Sequence, residues 1–137
     1  MWHTERQTET KGCLKRAGFY AIKTFVDYSC DEIKLPSNLT PQELKDCKFV
    51  EEKKNLIFYG NIGTGKTHLA TAIGVEACKK GLSVKFYRTA ALVNRLREAR
   101  KEGEISRILK ALSKLDLLIC DEWGYIPLDR EGAQLLF

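Results

Sequence analysis

Residues 60–67 read Gly-Asn-Ile-Gly-Thr-Gly-Lys-Thr and match the phosphate-binding loop pattern G-x-x-x-x-G-K-[ST] at every fixed position. An apolar run at 56–59 precedes this loop, and a helix-forming run at 68–80 follows it. The motif requires this strand–loop–helix context, which disfavours the alternative of an ordinary glycine-rich turn. The stretch therefore predicts a site for a nucleoside triphosphate.

The residue types of this phosphate loop have separate physical tasks. The glycines let the backbone turn so that its N–H groups meet phosphate oxygens. Lys66 supplies a positive charge to the outer phosphates, and the Thr67 hydroxyl is a ligand for Mg²⁺. The next helix begins beneath the phosphates, so its positive dipole end faces their charge. The expected nucleotide contacts are Gly60, Asn61, Ile62, Gly63, Thr64, Gly65, Lys66, Thr67 and His68.

Composition places the chain among ordinary globular domains. Its 137 residues are 44% hydrophobic and 30% charged, which allows one domain with a core and excludes a disordered tail. The net charge of +5 suits a nucleic-acid partner but is also common on other surfaces. The five cysteines show no metal-binding spacing, which indicates free thiols in a reducing cytoplasm. No apolar run approaches membrane-spanning length, so we expect no membrane partner.

Apolar periodicity predicts alternating strands and helices after a polar, frayed or disordered segment at 1–12. Predicted strands cover 55–59, 83–88 and 115–120. Predicted helices cover 41–52, with Thr40 as N-cap, and 66–80, 90–101 and 104–112. A strand–helix alternation with a phosphate loop after its first strand predicts an α/β domain over 13–137. Its parallel sheet is flanked by helices and binds ligand at the carboxyl ends of the strands.

Two acidic residues, Asp121 and Glu122, end the third predicted strand. That position lies beside the phosphate loop, where Asp121 can hold Mg²⁺ together with Thr67. Glu122 suits a general base that polarises an attacking water, which favours ATP hydrolysis over phosphoryl transfer by a small-molecule kinase. The alternative is a solvated turn, which is commoner for an isolated Asp-Glu pair. We assign Glu122 and Lys66 as catalytic residues, and Thr67 and Asp121 as metal-binding residues.

The run Asp-Glu-Trp-Gly-Tyr-Ile-Pro-Leu-Asp-Arg at 121–130 closely resembles IstB-type proteins, as do shorter stretches at 15–19 and 86–92. These proteins are ATP-binding helpers of insertion-sequence transposition and are relatives of the DnaC helicase loader. The resemblance covers residues 13–137 and implies a phosphate-loop NTPase of the AAA+ type, with 60–67 and 121–122 as its Walker A and Walker B motifs. Its implied cofactors are ATP and Mg²⁺. Its implied partners are DNA, bound largely without sequence preference, a transposase, and further copies of itself.

The same resemblance implies DNA contact from the helices that follow the second predicted strand. Basic side chains of such helices can contact phosphates without reading bases. The alternative is a solvated face in which glutamates form ordinary helix pairs with these residues. The basic residues concerned are Arg95, Arg97, Arg100, Lys101, Arg107, Lys110 and Lys114.

The family pattern also includes parts that we expect this chain to lack. These parts are a longer N-terminal region, a fourth strand with a sensor residue, an arginine finger, a fifth strand and a lid. We therefore expect a truncated AAA+ domain with an incomplete sheet and with weak hydrolysis or none. By analogy, residues 22–28 are expected to pack near the base. Two alternatives stay open: a DnaC-like loader of a replicative helicase in DNA replication, and a remnant that binds nucleotide without hydrolysing it.

Overall fold

The computed structural model describes residues 2–30, 33–61 and 63–123, and every structural statement below refers to those ranges. Its elements in chain order are α1 (Trp2–Ala17), a short 3-10 helix (Phe25–Asp27), α2 (Pro41–Lys45), α3 (Lys48–Glu51), α4 (Lys66–Lys79), β1 (Val84–Arg88), α5 (Thr89–Lys101), α6 (Ile105–Ser113) and β2 (Leu117–Asp121). Strands β1 and β2 pair in parallel, with Phe86 opposite Ile119 and Arg88 opposite Asp121. The prediction of an α/β domain with a parallel sheet is confirmed in this coarse form.

Helix α4 lies against the sheet at the centre of the core and agrees closely with the helix predicted at 66–80. It buries Leu69, Ile73 and Ala77. Midway along it, a Cβ on Gly74 would lie 2.6 Å from the ring of Phe19 and 2.8 Å from the Ile119 side chain. An alanine at this position would therefore force the ends of the Phe19 and Ile119 side chains to shift.

The segment predicted as the first strand, 55–59, forms no strand among the described residues. Its side chains still alternate as in a strand. Leu56 and Phe58 pack on the core, whereas Ile57 and Tyr59 are 87% and 93% exposed. A strand needs a hydrogen-bonded neighbour, and the described sheet contains only β1 and β2. The prediction of a strand at 55–59 was therefore wrong.

Two further predictions for the N-terminal half were also wrong. Residues 2–12 belong to helix α1 instead of a frayed segment, and the last turns of α1 bury Cys13 and Ala17 against the core. The helix predicted at 41–52 begins as expected, with a capping box between Thr40 and Glu43. It is then interrupted at Cys47, whose φ of 55° is left-handed.

Helices α5 and α6 match the helices predicted at 90–101 and 104–112 within one residue. Helix α5 buries Leu92, Val93 and Leu96, whereas α6 buries none of its residues. None of the helices in the described ranges combines the length and the apolar character needed to cross a bilayer.

Candidate functional site

The phosphate loop leads from Phe58 into helix α4 and bends at two glycines. Gly63 and Gly65 have φ values of 81° and 83°, in the left-handed region that glycine adopts without strain. The Thr64 hydroxyl donates a hydrogen bond of 2.8 Å to the carbonyl of Asn61 and closes the loop on itself. Ile62, which the sequence also assigns to the site, lies outside the described residues.

The N-terminus of α4 suits an anion. Its N-cap, Gly65, has no side chain that could cap the helix, and the first turn contains no acidic residue. The first N–H groups of a helix have no partner within the helix, and the helix dipole favours negative charge beside them. The ammonium of Lys66 donates to the carbonyls of Gly60 and Asn61, which holds a positive charge on the loop itself.

Thr67 and Asp121 are brought together by the fold. The Thr67 hydroxyl donates to the Asp121 carboxylate, at 3.0 Å from Oδ2 and 3.2 Å from Oδ1. The backbone carbonyl of Asp121 accepts a 2.8 Å bond from the Thr89 hydroxyl, which ties the end of β2 to the start of α5. One hydroxyl and one carboxylate are hard oxygen ligands of the kind that Mg²⁺ prefers.

A magnesium–nucleotide complex fits this pair. The described ranges contain no cluster of three or more His, Cys, Asp or Glu side chains that could hold a metal by themselves. Mg²⁺ does not need such a cluster, because it usually takes one or two protein ligands and completes its shell with phosphate oxygens and water. Thr67 and Asp121 would therefore be the residues that hold the metal.

Glu122 has a different neighbour from Asp121. Its Oε2 lies 3.7 Å from Nε of Arg88, the last residue of β1. The guanidinium of Arg88 in turn stacks on the ring of Tyr20, with Cζ 3.9 Å from the ring centroid. Neither Arg88 nor Tyr20 was predicted from the sequence as a residue of the site. The signal for Arg88 was its position at the carboxyl end of the second predicted strand, beside the acidic end of the third.

His68 anchors the segment 24–28 against the start of α4. Its Nε2 lies 2.9 Å from the carbonyl of Thr24, so the tautomer with a proton on Nε2 donates there. The rings of His68 and Tyr28 are 5.2 Å apart, and a Cβ on Gly65 would lie 3.3 Å from Tyr28. Part of the segment that the sequence places near the base therefore lies beside the loop, and its contact with a base stays a prediction.

The basic residues expected to meet DNA lie on α5, on α6 and at the end of α6. Arg107 forms a 3.1 Å ion pair with Glu104, as the alternative of ordinary helix pairs predicts. Arg97 is half-buried, and the other basic residues of the set are exposed. The structure thus places most of this positive charge on the surface.

Three cysteine thiols have raised pKa values. Burial raises the pKa of Cys47 to about 11 and that of Cys78 to about 12. Burial also raises the pKa of Cys120, which precedes Asp121. Thiolates are the reactive form, so these side chains act as small apolar groups at neutral pH.

Comparison of the sequence with known proteins identifies the family of the chain. The sequence profile of IstB-like ATP binding proteins matches residues 1–137. The chain is 36% identical over 136 residues to a protein of insertion sequence IS21 from Pseudomonas aeruginosa, covering 99% of this chain and 51% of that protein. It is 44% identical over 90 residues to a protein of IS232 from Bacillus thuringiensis subsp. berliner, covering 66% and 36%. Both relatives are named as ATP-binding proteins, and both names mark that activity as inferred.

A third relative, from IS5376 of Geobacillus stearothermophilus, is 43% identical over 96 residues, which cover 70% of this chain and 38% of that protein. The aligned parts thus span between about a third and a half of these three relatives. The match to the family profile extends over the whole chain and includes the phosphate loop, β1 and β2. The chain therefore belongs to the family of IstB-like ATP binding proteins.

Proposed function

We propose that this chain is the ATP-binding core of a helper protein for insertion-sequence transposition, and that it binds ATP with Mg²⁺ at the phosphate loop and Asp121. The observation that carries the proposal is the hydrogen bond between Thr67 and Asp121. It joins the second residue of α4 to the last residue of β2, so the loop and the acidic strand end share one site.

Each of these residues has a task toward the nucleotide. Lys66 exchanges the carbonyls of Gly60 and Asn61 for the outer phosphate oxygens, which are stronger, charged acceptors. Thr67 and Asp121 would hold Mg²⁺, which supplies positive charge to the β- and γ-phosphates when it is bound.

In the proposed hydrolysis of ATP, Glu122 acts as the general base. A water oxygen bonds to the γ-phosphorus while the bond from that phosphorus to the β–γ bridging oxygen breaks. Glu122 accepts a proton from the water, and ADP and inorganic phosphate leave. This step distinguishes an ATPase from a remnant that only binds nucleotide.

DNA and a transposase are the proposed partners. The names of the relatives place them in insertion sequences, which favours a transposition role over helicase loading. The exposed basic residues of α5 and α6 supply charge for phosphate contacts that do not depend on sequence. Self-association on DNA belongs to the same proposal.

Titration with a fluorescent ATP analogue and Mg²⁺ tests the nucleotide site. Lys66→Ala should weaken binding roughly ten- to hundredfold, because it removes a hydrogen bond to a charged group. Lys79→Ala is the matched control, since Lys79 is in the last turn of the same helix and pairs with Glu76. Absence of binding by the unmodified chain, or equal affinity in Lys66→Ala, would contradict the proposal.

Steady-state ATPase measurements then separate an enzyme from a remnant. Glu122→Gln should abolish turnover and leave the affinity for the ATP analogue unchanged, because the amide cannot accept the proton from water. A chain that binds the analogue and shows no turnover under any condition would be the non-hydrolysing remnant.

A further inference from the structure

The hydroxyl of Thr89 is buried and bonds to the backbone of Asp121. Within the described ranges Thr89 is one of two buried polar residues, and the other is Thr71. Thr89 is 1% exposed, and its hydroxyl donates a 2.8 Å hydrogen bond to the carbonyl of Asp121. A buried hydroxyl without a partner is costly, so the fold strongly favours this bond. The first residue of α5 is thereby joined to the last residue of β2.

This bond lies at the point where the sheet ends. The register of β1 and β2 finishes with Arg88 opposite Asp121, and the next residue of each strand leaves the sheet. Thr89 begins α5, whereas Glu122 has a φ of 62°, in the left-handed region that residues with a side chain seldom adopt. The Thr89 hydroxyl therefore holds the peptide group that follows Asp121, just beyond the last paired residues.

The direction of the Asp121 carboxylate depends on the backbone that carries it. Sheet pairing fixes that backbone up to Asp121, and the Thr89 hydroxyl fixes the peptide group after it. So held, the carboxylate meets the Thr67 hydroxyl at 3.0 and 3.2 Å. Mg²⁺ demands near-ideal octahedral geometry with ligands at about 2.0–2.1 Å. A small change in the direction of the carboxylate would therefore weaken its hold on the metal.

We propose that Thr89 is a positioning residue that orients Asp121, through the backbone carbonyl, toward the Mg²⁺ of the bound nucleotide. The inference rests on the proposed function, because it takes Asp121 as a metal-binding residue. Since Thr89 is buried, its effect on the metal passes through Asp121 and not through direct contact. Thr89 thus belongs to the shell of residues behind the metal ligands, whose hydrogen bonds set the direction of those ligands.

Two replacements that each keep one part of the Thr89 side chain test the proposal in the full chain. Thr89→Val keeps the shape and removes the hydroxyl, whereas Thr89→Ser keeps the hydroxyl and removes a methyl group. Thr89→Val should weaken the affinity for the fluorescent ATP analogue in Mg²⁺ roughly three- to tenfold, the factor that corresponds to one hydrogen bond. Its affinity in EDTA should stay unchanged. Thr89→Ser should leave both affinities unchanged.

Urea unfolding of the same variants distinguishes positioning from a purely structural role. Both replacements should lower the midpoint, because Thr89→Val leaves the Asp121 carbonyl without its partner and Thr89→Ser leaves a small cavity. Only Thr89→Val should lower the affinity in Mg²⁺. If Thr89→Val does not fold, Thr89→Ala compared with Thr89→Ser isolates the hydroxyl, since those two side chains differ only in that group.

Thr71→Val is the matched control. Thr71 is 3% exposed and lies on α4, the helix that carries Thr67, so this variant also removes a buried hydroxyl near the site. It should leave the affinities in Mg²⁺ and in EDTA unchanged. A loss in Mg²⁺ as large as that of Thr89→Val would show that any buried hydroxyl in this region has the effect, and it would overturn the role of Thr89.

The other outcomes separate this inference from the function on which it rests. Equal losses in Mg²⁺ and in EDTA for Thr89→Val, or no loss in either, would overturn the role of Thr89 and leave the nucleotide site intact. A loss in Thr89→Ser equal to that in Thr89→Val would also overturn it, because the hydroxyl would not be the group that matters. Failure of the unmodified chain to bind the analogue, or equal binding in Mg²⁺ and EDTA, would instead overturn the proposed function.

Discussion

The hydroxyl of Thr67 lies 3.0 Å from Oδ2 of Asp121, although 54 positions separate the two residues along the chain. Thr67 is fixed by the start of α4 and Asp121 by the end of β2, and both elements belong to the packed part of the chain. Two motifs that are independent in the sequence therefore meet at one edge of the sheet.

Asp121→Asn should distinguish the Mg²⁺-dependent part of the affinity for ATP from the part that does not depend on the metal. The amide oxygen can still accept from Thr67, so the local fold should persist while the negative charge is lost. We expect Mg²⁺-dependent affinity for ATP to fall roughly ten- to hundredfold, as it does when a residue supporting a metal is replaced. In EDTA the variant and the unmodified chain should bind equally. An equal loss in EDTA would mean that Asp121 acts on the loop and not on a metal.

Gly74→Ala should destabilise the fold, although alanine normally favours a helix. The new Cβ would meet the Phe19 ring and the Ile119 side chain at 2.6 and 2.8 Å. Overpacking of this kind costs about 1–3 kcal/mol, measured by urea unfolding. Phe19→Leu should reduce the cost of Gly74→Ala when the two are combined, because the clash is with the ring.

Gly12→Ala is the control for that experiment. Gly12 is also within a helix, but the atoms nearest to a Cβ there would be those at the flexible end of Arg16, the first at 3.1 Å. This change should stabilise the chain by about 0.5–1 kcal/mol. If Gly74→Ala and Gly12→Ala change the free energy of unfolding by similar amounts, the contacts with Phe19 and Ile119 do not require a glycine at position 74.

Cys47 should make stability depend on alkaline pH. Burial raises its pKa from 9.0 to about 11, and its thiol lies 3.6 Å from the Ile73 carbonyl. A group with a raised folded-state pKa contributes its full stability below its unfolded pKa and loses that stability as pH rises through the folded pKa. The difference in unfolding free energy between the unmodified chain and Cys47→Ala should therefore shrink from pH 9 to pH 11. A constant difference would show that Cys47 does not titrate differently on folding.

Lys101→Ala and Lys110→Ala should test the basic surface of α5 and α6. If each side chain contacts one phosphate, each change should lower the slope of log affinity for duplex DNA against log salt by about 1. The loss should be similar for unrelated sequences, because phosphate contacts carry no sequence information. Fluorescence anisotropy over a salt series measures both, with Lys48→Ala as a control outside the two helices. Unchanged slopes would assign these residues to an ordinary solvated face.

Sequence patterns predicted the helices and strands whose formation depends mainly on residues close together in the chain. The helix at 66–80 follows from the loop, from the apolar residues after it and from Gly81, which ends it with a φ of 81°. The strands at 83–88 and 115–120 were likewise recognisable from dense apolar and β-branched residues. Thr67 meets Asp121 because α4, which begins at Lys66, packs against β2, which ends at Asp121.

The features that were not predicted depend largely on contacts between residues that are far apart in the sequence. Residues 55–59 alternate like a strand, but strand formation depends on a neighbour that periodicity does not reveal. The break at Cys47 uses a left-handed conformation at a residue other than glycine, so no turn signal marks it. The contact between Arg88 and Glu122 depends on the register of β1 and β2, which apolar runs alone do not specify.

A crystal structure with Mn²⁺ in place of Mg²⁺ and a non-hydrolysable ATP analogue would locate the nucleotide and the metal directly. Anomalous scattering would locate the metal independently of the surrounding density. We expect the metal to lie between the Thr67 hydroxyl and the Asp121 carboxylate, with Lys66 on the outer phosphates. A triphosphate bound elsewhere, or a metal distant from both Thr67 and Asp121, would contradict it.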